Sequence, residues 1–336
     1  MTAVITAWSA VSPFGYGRAA FADGLRAGRT RNLVPDFVIA DHLGAKGTGS
    51  MDRSSALAVA TVGRLLKDDG PVPTDATTGV VLGTTSGSTR TQFEFTSESL
   101  VRRKPYFVNP AVMPYALMNS AAAQCAIWHR LTGPNSTIAN GRMSGLVALR
   151  YALRLLAAGR ATGIVCGAVE EHSEQRELVE RHLRGGADVP VGEGCAVLFL
   201  EPAGTASAGL AEVAAVHTRL AFDAPERALA ECLRDALRTA GVRPGPTLAV
   251  ALSSAEPALR NVELSAVDEV LGRNVTSVVE PAALLGDAGA VAGMFQVAAL
   301  LSLPASRAQW AAVPCADRDG MVGCALLRLP GAEAFG

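Results

Sequence analysis

Lysine is scarce in this 336-residue chain: it occurs only at Lys46, Lys67 and Lys104, and arginine supplies the rest of the positive charge. Thirty basic residues against 31 acidic ones leave a formal net charge of −1, so there is no electrostatic basis for gripping nucleic acid or an anionic membrane. Charged residues make up only 18% and aromatic residues 5%, against 49% hydrophobic, which excludes a disordered chain and leaves ample material for a large core. The six cysteines (Cys125, Cys166, Cys195, Cys232, Cys315 and Cys324) show neither Cys-x-x-Cys nor Cys/His ligand spacing. They read as reduced, buried thiols of a cytoplasmic protein, with no metal and no cofactor implied. Long apolar runs are equally few. The stretch Ala288 to Ala305 is uncharged and nearly long enough to span a membrane, but Gly289, Gly293, Gln296 and Pro304 mark it as a buried core helix. Met1 leads at once into the apolar run Ala3 to Trp8, without a basic region or cleavage site, which reads as no signal peptide.

What is present is organised around Gly133 to Gly167, a complete strand, tight turn, helix and strand. Ser136, Thr137, Ile138 and Ala139 form the short strand, Asn140-Gly141 is a turn signal, and Ser144 is expected to cap the helix that follows. Leu146, Leu149, Leu153 and Leu156 recur at helical spacing up to a stop at Gly159, and Ile164 to Cys166 form a buried strand. A sharp strand-to-helix turn suits a nucleophile, because the positive helix end steadies a developing anion. Arg142 occupies that seat, and a guanidinium cannot act as one.

Along the rest of the chain, residues 30–53 are expected to be loop. Asp52 should cap a helix to Lys67, Gly79 to Gly83 is a buried strand, and Thr89 to about Lys104 a helix carrying Phe93 and Phe95. The segment Asn109 to Asn119 has prolines that fix two turns, and its apolar Val112, Met113 and Met118 need a surface to cover. After a polar helix, Glu174 to Leu183, and a strand, Ala196 to Leu200, the segment Ala203 to Gly209 is the best linker. Strands and helices alternate again to the end, which predicts α/β architecture with buried, largely parallel sheets and two similar halves, 1–203 and 204–336, forming one compact unit.

These pieces together resemble the β-ketoacyl synthases of the thiolase fold. The resemblance is carried by ITAWSAVSPFG at 5–15, MDRSSALA at 51–58, GVVLGTTSGS at 79–88, NPAVMPYALMN at 109–119, GPNSTIANGRMSGLVALRYALRLLAAGRA at 133–161, GAVEE at 167–171 and VGEGCAVLFLEP at 191–202. It implies two βαβ-rich halves in a five-layered αβαβα arrangement. Catalytic members hold a cysteine at the turn and two histidines from the second half. The corresponding positions here are Arg142, Leu252 and Asp287, with Ala282 in the segment that normally carries a lysine and Val322 in a C-terminal loop that is normally rich in phenylalanine and glycine. The five histidines, His42, His129, His172, His182 and His217, lie off these motifs and read as surface or structural groups.

The subgroup that lacks the cysteine is the chain length factor of type II polyketide synthases, and the compact length resembles the highly reducing, polyene-type systems. That resemblance implies no catalytic residue, a heterodimer with a catalytic ketosynthase subunit, and a carrier-protein-bound acyl chain. The strand Ser136 to Ala139 would continue the sheet across the interface, and Phe93, Val112, Met113 and Met118 would line or plug the partner's acyl tunnel. Arg142 should find a carboxylate, with Asp287 first among Asp317, Asp319, Glu170 and Glu280. The alternative is a thiolase-fold acyltransferase or decarboxylase with an unrecognised nucleophile.

Overall fold

The computed structural model describes residues 2–68, 72–186, 188–204, 209–242, 248–303 and 308–330. The first half runs β1 (Ala3–Ser12), β2 (Gly15–Tyr16), α1 (Gly17–Arg26), α2 (Ile39–Leu43), α3 (Arg53–Asp68), β3 (Gly79–Thr84), α4 (Thr89–Val101), α5 (Ser120–His129), β4 (Asn135–Ala139), α6 (Ser144–Ala157), β5 (Ile164–Glu170), α7 (Glu174–Leu183) and β6 (Gly194–Pro202). The second runs β7 (Ala211–Leu220), α8 (Pro225–Thr239), β8 (Leu248–Ala251), α9 (Pro257–Val270), β9 (Val275–Val279), α10 (Pro281–Leu285), α11 (Ala292–Leu301), β10 (Trp310–Ala316) and β11 (Met321–Arg328). Local chemistry accounts for several starts: Asp52 Oδ1 accepts the Ser55 N–H at 2.8 Å ahead of α3, and Ser88 Oγ accepts that of Thr91 at 3.2 Å ahead of α4.

The strand order β4-β3-β5-β6-β1 continues into β7-β11-β10-β8-β9, so the second half repeats the first in reverse order across the β1–β7 seam. Within each half β4, β3 and β5 (β9, β8 and β10) form parallel ladders, and β6 (β11) runs antiparallel to both its neighbours, so that β1 (β7) points the same way as the parallel three. Each half is therefore mixed, four strands running one way and one against them, where the apolar runs suggest largely parallel sheets. The reason is burial on both faces: β6 and β11 are sandwiched between helix layers like the parallel strands, and acquire the same continuous apolar sequence.

Helices α6 and α11 pack on each other between the two sheet halves, α3 and α5 cover the first half from outside, and α8 and α9 cover the second. Three apolar cores fill the gaps in this five-layered stack. Ala292 to Leu300 of α11 are all buried, as expected for a helix apolar all round. Its Gln296 is tied down by donating to the Ala251 carbonyl and, at 2.7 Å, to that of Pro314. No helix among the described residues is long and apolar enough to cross a membrane. Residues 205–208 of the expected linker, and Pro304 and Ala305, lie outside the described residues.

Two further expectations need correction. The supposed loop at 30–53 contains α2, a single turn anchored when His42 stacks on the Phe37 ring 4.9 Å away. Ser144 is not an N-cap, because a 3₁₀ turn, Gly141–Met143, has already begun the helix. Its hydroxyl instead accepts the Asn140 N–H at 2.8 Å and lies 2.7 Å from the Gly141 carbonyl and 2.9 Å from that of Thr84, bracing the turn against β3.

Candidate functional site

The turn after β4 is tight because Gly141 adopts φ +54°, and a Cβ there would stand 2.2 Å from Asp317 Oδ2. The next residue, Arg142, is only 4% exposed. Its side chain enters a recess of about 110 Å³ lined by Thr85, Gly141, Glu180, Asp287 and Arg318. There Nη2 donates to Asp287 Oδ1 at 2.6 Å, Nη1 donates to the Ser253 carbonyl at 3.1 Å, and Glu256 Oε1 stands 3.5 Å from Nη2. The main-chain N–H of Arg142, a donor an incoming anion would need, is taken by Asp317 Oδ2 at 2.7 Å.

The pair is the centre of a larger cluster. Asp287 Oδ2 accepts from Arg184 and, at 3.2 Å, from Arg318. Arg318 clasps Glu256 with Nε at 2.9 Å and with Nη2, and its Nη1 reaches Glu180 Oε2 at 3.1 Å. Arg184 Nη2 also approaches Glu180 Oε2 at 3.4 Å. Three guanidiniums thus meet three carboxylates and balance. Arg142, Arg184 and Glu180 come from the first half, and Asp287, Glu256 and Arg318 from the second, so the cluster staples the duplication together.

Burial is the largest influence on Arg142 and opposes its charge, but Asp287 and the further acidic groups around it, Glu263 and Glu256 among them, together outweigh it and hold the guanidinium ionised beyond its usual range. Burial likewise opposes charge on Asp287, and Arg142, Arg184 and Arg176 keep it well below the usual carboxylate range. Glu263 behaves differently: burial pushes it up to about 7, although it accepts the Ser253 N–H at 2.8 Å and the Ala316 N–H at 3.2 Å.

The other expected carboxylates have other partners. Glu170 faces Arg176 at 3.6 Å, Glu280 holds Arg260 at 2.6 and 2.8 Å, and Asp319 lines the recess without reaching the guanidinium. Leu252 and Val322 point into the outer core of the second half, and Ala282 lies in α10 away from the recess lining. Arg184, Glu180, Arg318 and Glu256 escaped the sequence reading. Glu256 and Arg318 lie four residues from Leu252 and Val322 in sequence, but Arg184 offered no signal beyond its place at the end of a polar helix.

The remaining residues form a separate surface. α4 packs against the 3₁₀ turn Met113–Ala116, and Phe93, Met113 and Met118 remain about half exposed at 46%, 50% and 51%, with Val112 partly buried. Ser136, Thr137 and Ile138 are half-buried and Ala139 exposed on β4, whose ladder has β3 on one side and no partner on the other among the described residues. All six thiols are buried. Burial pushes Cys232 up to about 11 and Cys195 up to about 12, and raises Cys125, Cys166, Cys315 and Cys324 as well. No cluster of His, Cys, Asp and Glu among the described residues could hold a metal ion.

A family model, the β-ketoacyl synthase N-terminal domain, matches residues 39–206, half of the chain. The chain belongs to the β-ketoacyl synthase family. A chain of the ishigamide ketosynthase/chain length factor superposes with a TM-score of 0.90 at 39% identity, covering 98% of this chain and 100% of that one. A 3-oxoacyl-[acyl-carrier-protein] synthase 2 of Rhizobium meliloti is 26% identical over 363 residues, covering 88% of this chain and 86% of that protein. The tetracenomycin polyketide synthase ketoacyl synthase alpha subunit of Streptomyces glaucescens is 29% identical over 196 residues, covering 50% and 45%. The duplicated five-layered architecture is that of this family's thiolase fold.

Proposed function

We propose that this chain is a non-catalytic chain length factor that pairs with a catalytic ketosynthase subunit and shapes the tunnel for an acyl chain borne on a carrier protein. The carrying observation is the buried Arg142–Asp287 pair at 2.6 Å, where the family's chemistry calls for a nucleophile. A guanidinium held ionised cannot attack an acyl group, and Asp317 occupies the main-chain donor beside it. The thiols offer no substitute, since a nucleophilic cysteine needs exposure and a lowered pKa. The likeness to the ishigamide ketosynthase/chain length factor supports the pairing, as do the open edge of β4 and the half-exposed Phe93, Met113 and Met118. Edge pairing backed by apolar helices would bury on the order of 2,000 Å².

The test is expression of the chain alone and with a ketosynthase that retains its cysteine. A partner-dependent complex, with acyl label on the partner alone, is the expected result. A covalent acyl adduct on this chain in isolation would overturn the reading in favour of an acyltransferase.

A further inference from the structure

We propose that α7 is an interface helix: its inner side anchors the buried ion cluster, and its outer side, together with α4, is covered by the ketosynthase subunit. This deepens the pairing proposed above and rests on it. A surface helix normally turns its apolar side chains to the core and its charges to water. In α7 the order is reversed. Arg176, Glu180 and Arg184 recur at the spacing that puts side chains on one face, and all three side chains are buried. Arg176 Nη1 donates to the Glu171 and Gly192 carbonyls at 2.8 and 2.7 Å, and Glu180 and Arg184 belong to the cluster around Asp287. Charges fixed in this way leave the leucines no place inside, and Leu178 and Leu183 stand 62% and 61% exposed.

The neighbouring α4 has the same need. Thr89 and Thr91, in its first turn, are its buried residues, and the rest of the helix is partly or fully exposed. An isolated helix of fewer than about 12–15 residues is marginal in water, and α4 has 13. It packs chiefly on α7 and on the 3₁₀ turn Met113–Ala116, so these three make one surface, carrying Leu178, Phe93 and Met113. The topology sets that surface beside the open edge. Strands β4, β3 and β5 run parallel, so their carboxyl ends lie side by side, and β3 leads into α4 as β5 leads into α7. A subunit that extends the sheet from β4 therefore meets α4 and α7 next. The area argues the same way: a five-residue edge alone falls short of the roughly 2,000 Å² or more of an obligate interface, and the two helices supply apolar area next to it.

The test compares the full-length chain alone with its complex with a ketosynthase that retains its cysteine. Hydrogen exchange over residues 89–101 and 174–183 should slow roughly tenfold or more in the complex. Leu178 is exposed, so Leu178→Glu should keep the melting profile of the chain alone. It should also weaken assembly roughly tenfold or more, because it strands a carboxylate in an apolar interface, while Leu178→Met should assemble like wild type. Unchanged exchange over 174–183 in a complex that forms, or a Leu178→Glu complex of wild-type affinity, would overturn the inference and leave the pairing standing. An intact Leu178→Glu complex that no longer receives acyl groups from the carrier protein would overturn it too, making α7 a carrier contact. So would self-association of the wild-type chain that Leu178→Glu abolishes, which would make a second copy the occupant. A wild-type chain that forms no complex would overturn the pairing itself, and this inference with it.

Discussion

Removing the Arg142 side chain tests the central cluster directly. Deleting one partner of a buried ion pair typically costs about 3–5 kcal/mol, because the other charge is left unpaired. Asp287 is not abandoned here, since Arg184 and Arg318 still reach its second oxygen. Arg142→Ala should therefore fall near the lower end, about 3 kcal/mol, or on the order of 5 °C in melting temperature for a chain of this size. Arg142→Met, which keeps most of the volume, should cost about the same if charge pairing is the cause and much less if packing is. Asp287→Asn leaves three guanidiniums facing Glu180 and Glu256, and should cost as much as Arg142→Ala. Combining Arg142→Met with Asp287→Asn restores two charges against two, so the double variant should recover at least about 1 kcal/mol relative to the sum of the singles. Urea titrations of the four proteins give the cycle. Strict additivity, or an Arg142→Ala protein melting within about 1 °C of wild type, would refute the reasoning.

Three further outcomes follow from the same structure. Glu263 and Glu171 are each pushed by burial up to about 7, so between the unfolded value near 4.5 and about 7 the native state binds more protons than the unfolded one. Stability from these groups is complete below that window and declines as pH rises through it, by on the order of 3 kcal/mol for each fully buried carboxyl. Urea midpoints from pH 4.5 to 8 should show this fall and Glu263→Gln should flatten it; a midpoint that rises across the window would contradict it. Iodoacetamide should leave all six buried thiols unmodified in the native protein and label all six in denaturant; rapid native labelling would reopen the search for a nucleophile. Replacing Met113 or Met118 by Ala or by Trp should shift product length when assayed with the ketosynthase partner, because exclusion discriminates lengths better than the roughly 0.8 kcal/mol per buried methylene. An unchanged product profile would remove these residues from the tunnel.

The layered duplication was legible because strands and helices alternate in both halves, and Arg142 with Asp287 because both occupy motif positions. Strand direction was not legible: β6 is buried on both faces by neighbouring helix layers, so its apolar run matches that of parallel β5. The Ser144 reading failed for a local reason. A glycine at φ +54° allows the helix to begin one 3₁₀ turn early, which turns a would-be cap into a brace against the Thr84 carbonyl. Arg184 escaped because its partner Asp287 is 103 residues away and is brought to it by tertiary pairing, the main chain of Pro190 and Gly192 after α7 bonding to that of Asp287. Pairings between loops depend on tertiary placement, and neither spacing nor periodicity carries that information.

The composition of the cluster has an electrostatic logic of its own. Gly141 and Gly289 both line the recess, so the amino ends of the two central helices, α6 and α11, meet there. Each such end carries roughly half a positive charge, which adds about one unit to the three guanidiniums. Four carboxylates, Asp287, Asp317, Glu180 and Glu256, face that total of about four, and Asp287 and Asp317 accept main-chain N–H groups beside the helix starts at 3.1 and 2.7 Å. A guanidinium in the nucleophile's seat, next to a helix end that repels it, is thus tolerable only with these acids in place. Reverting Arg142 to cysteine alone would leave the acids in excess and hold a thiol protonated, so chemistry would not return with the single change.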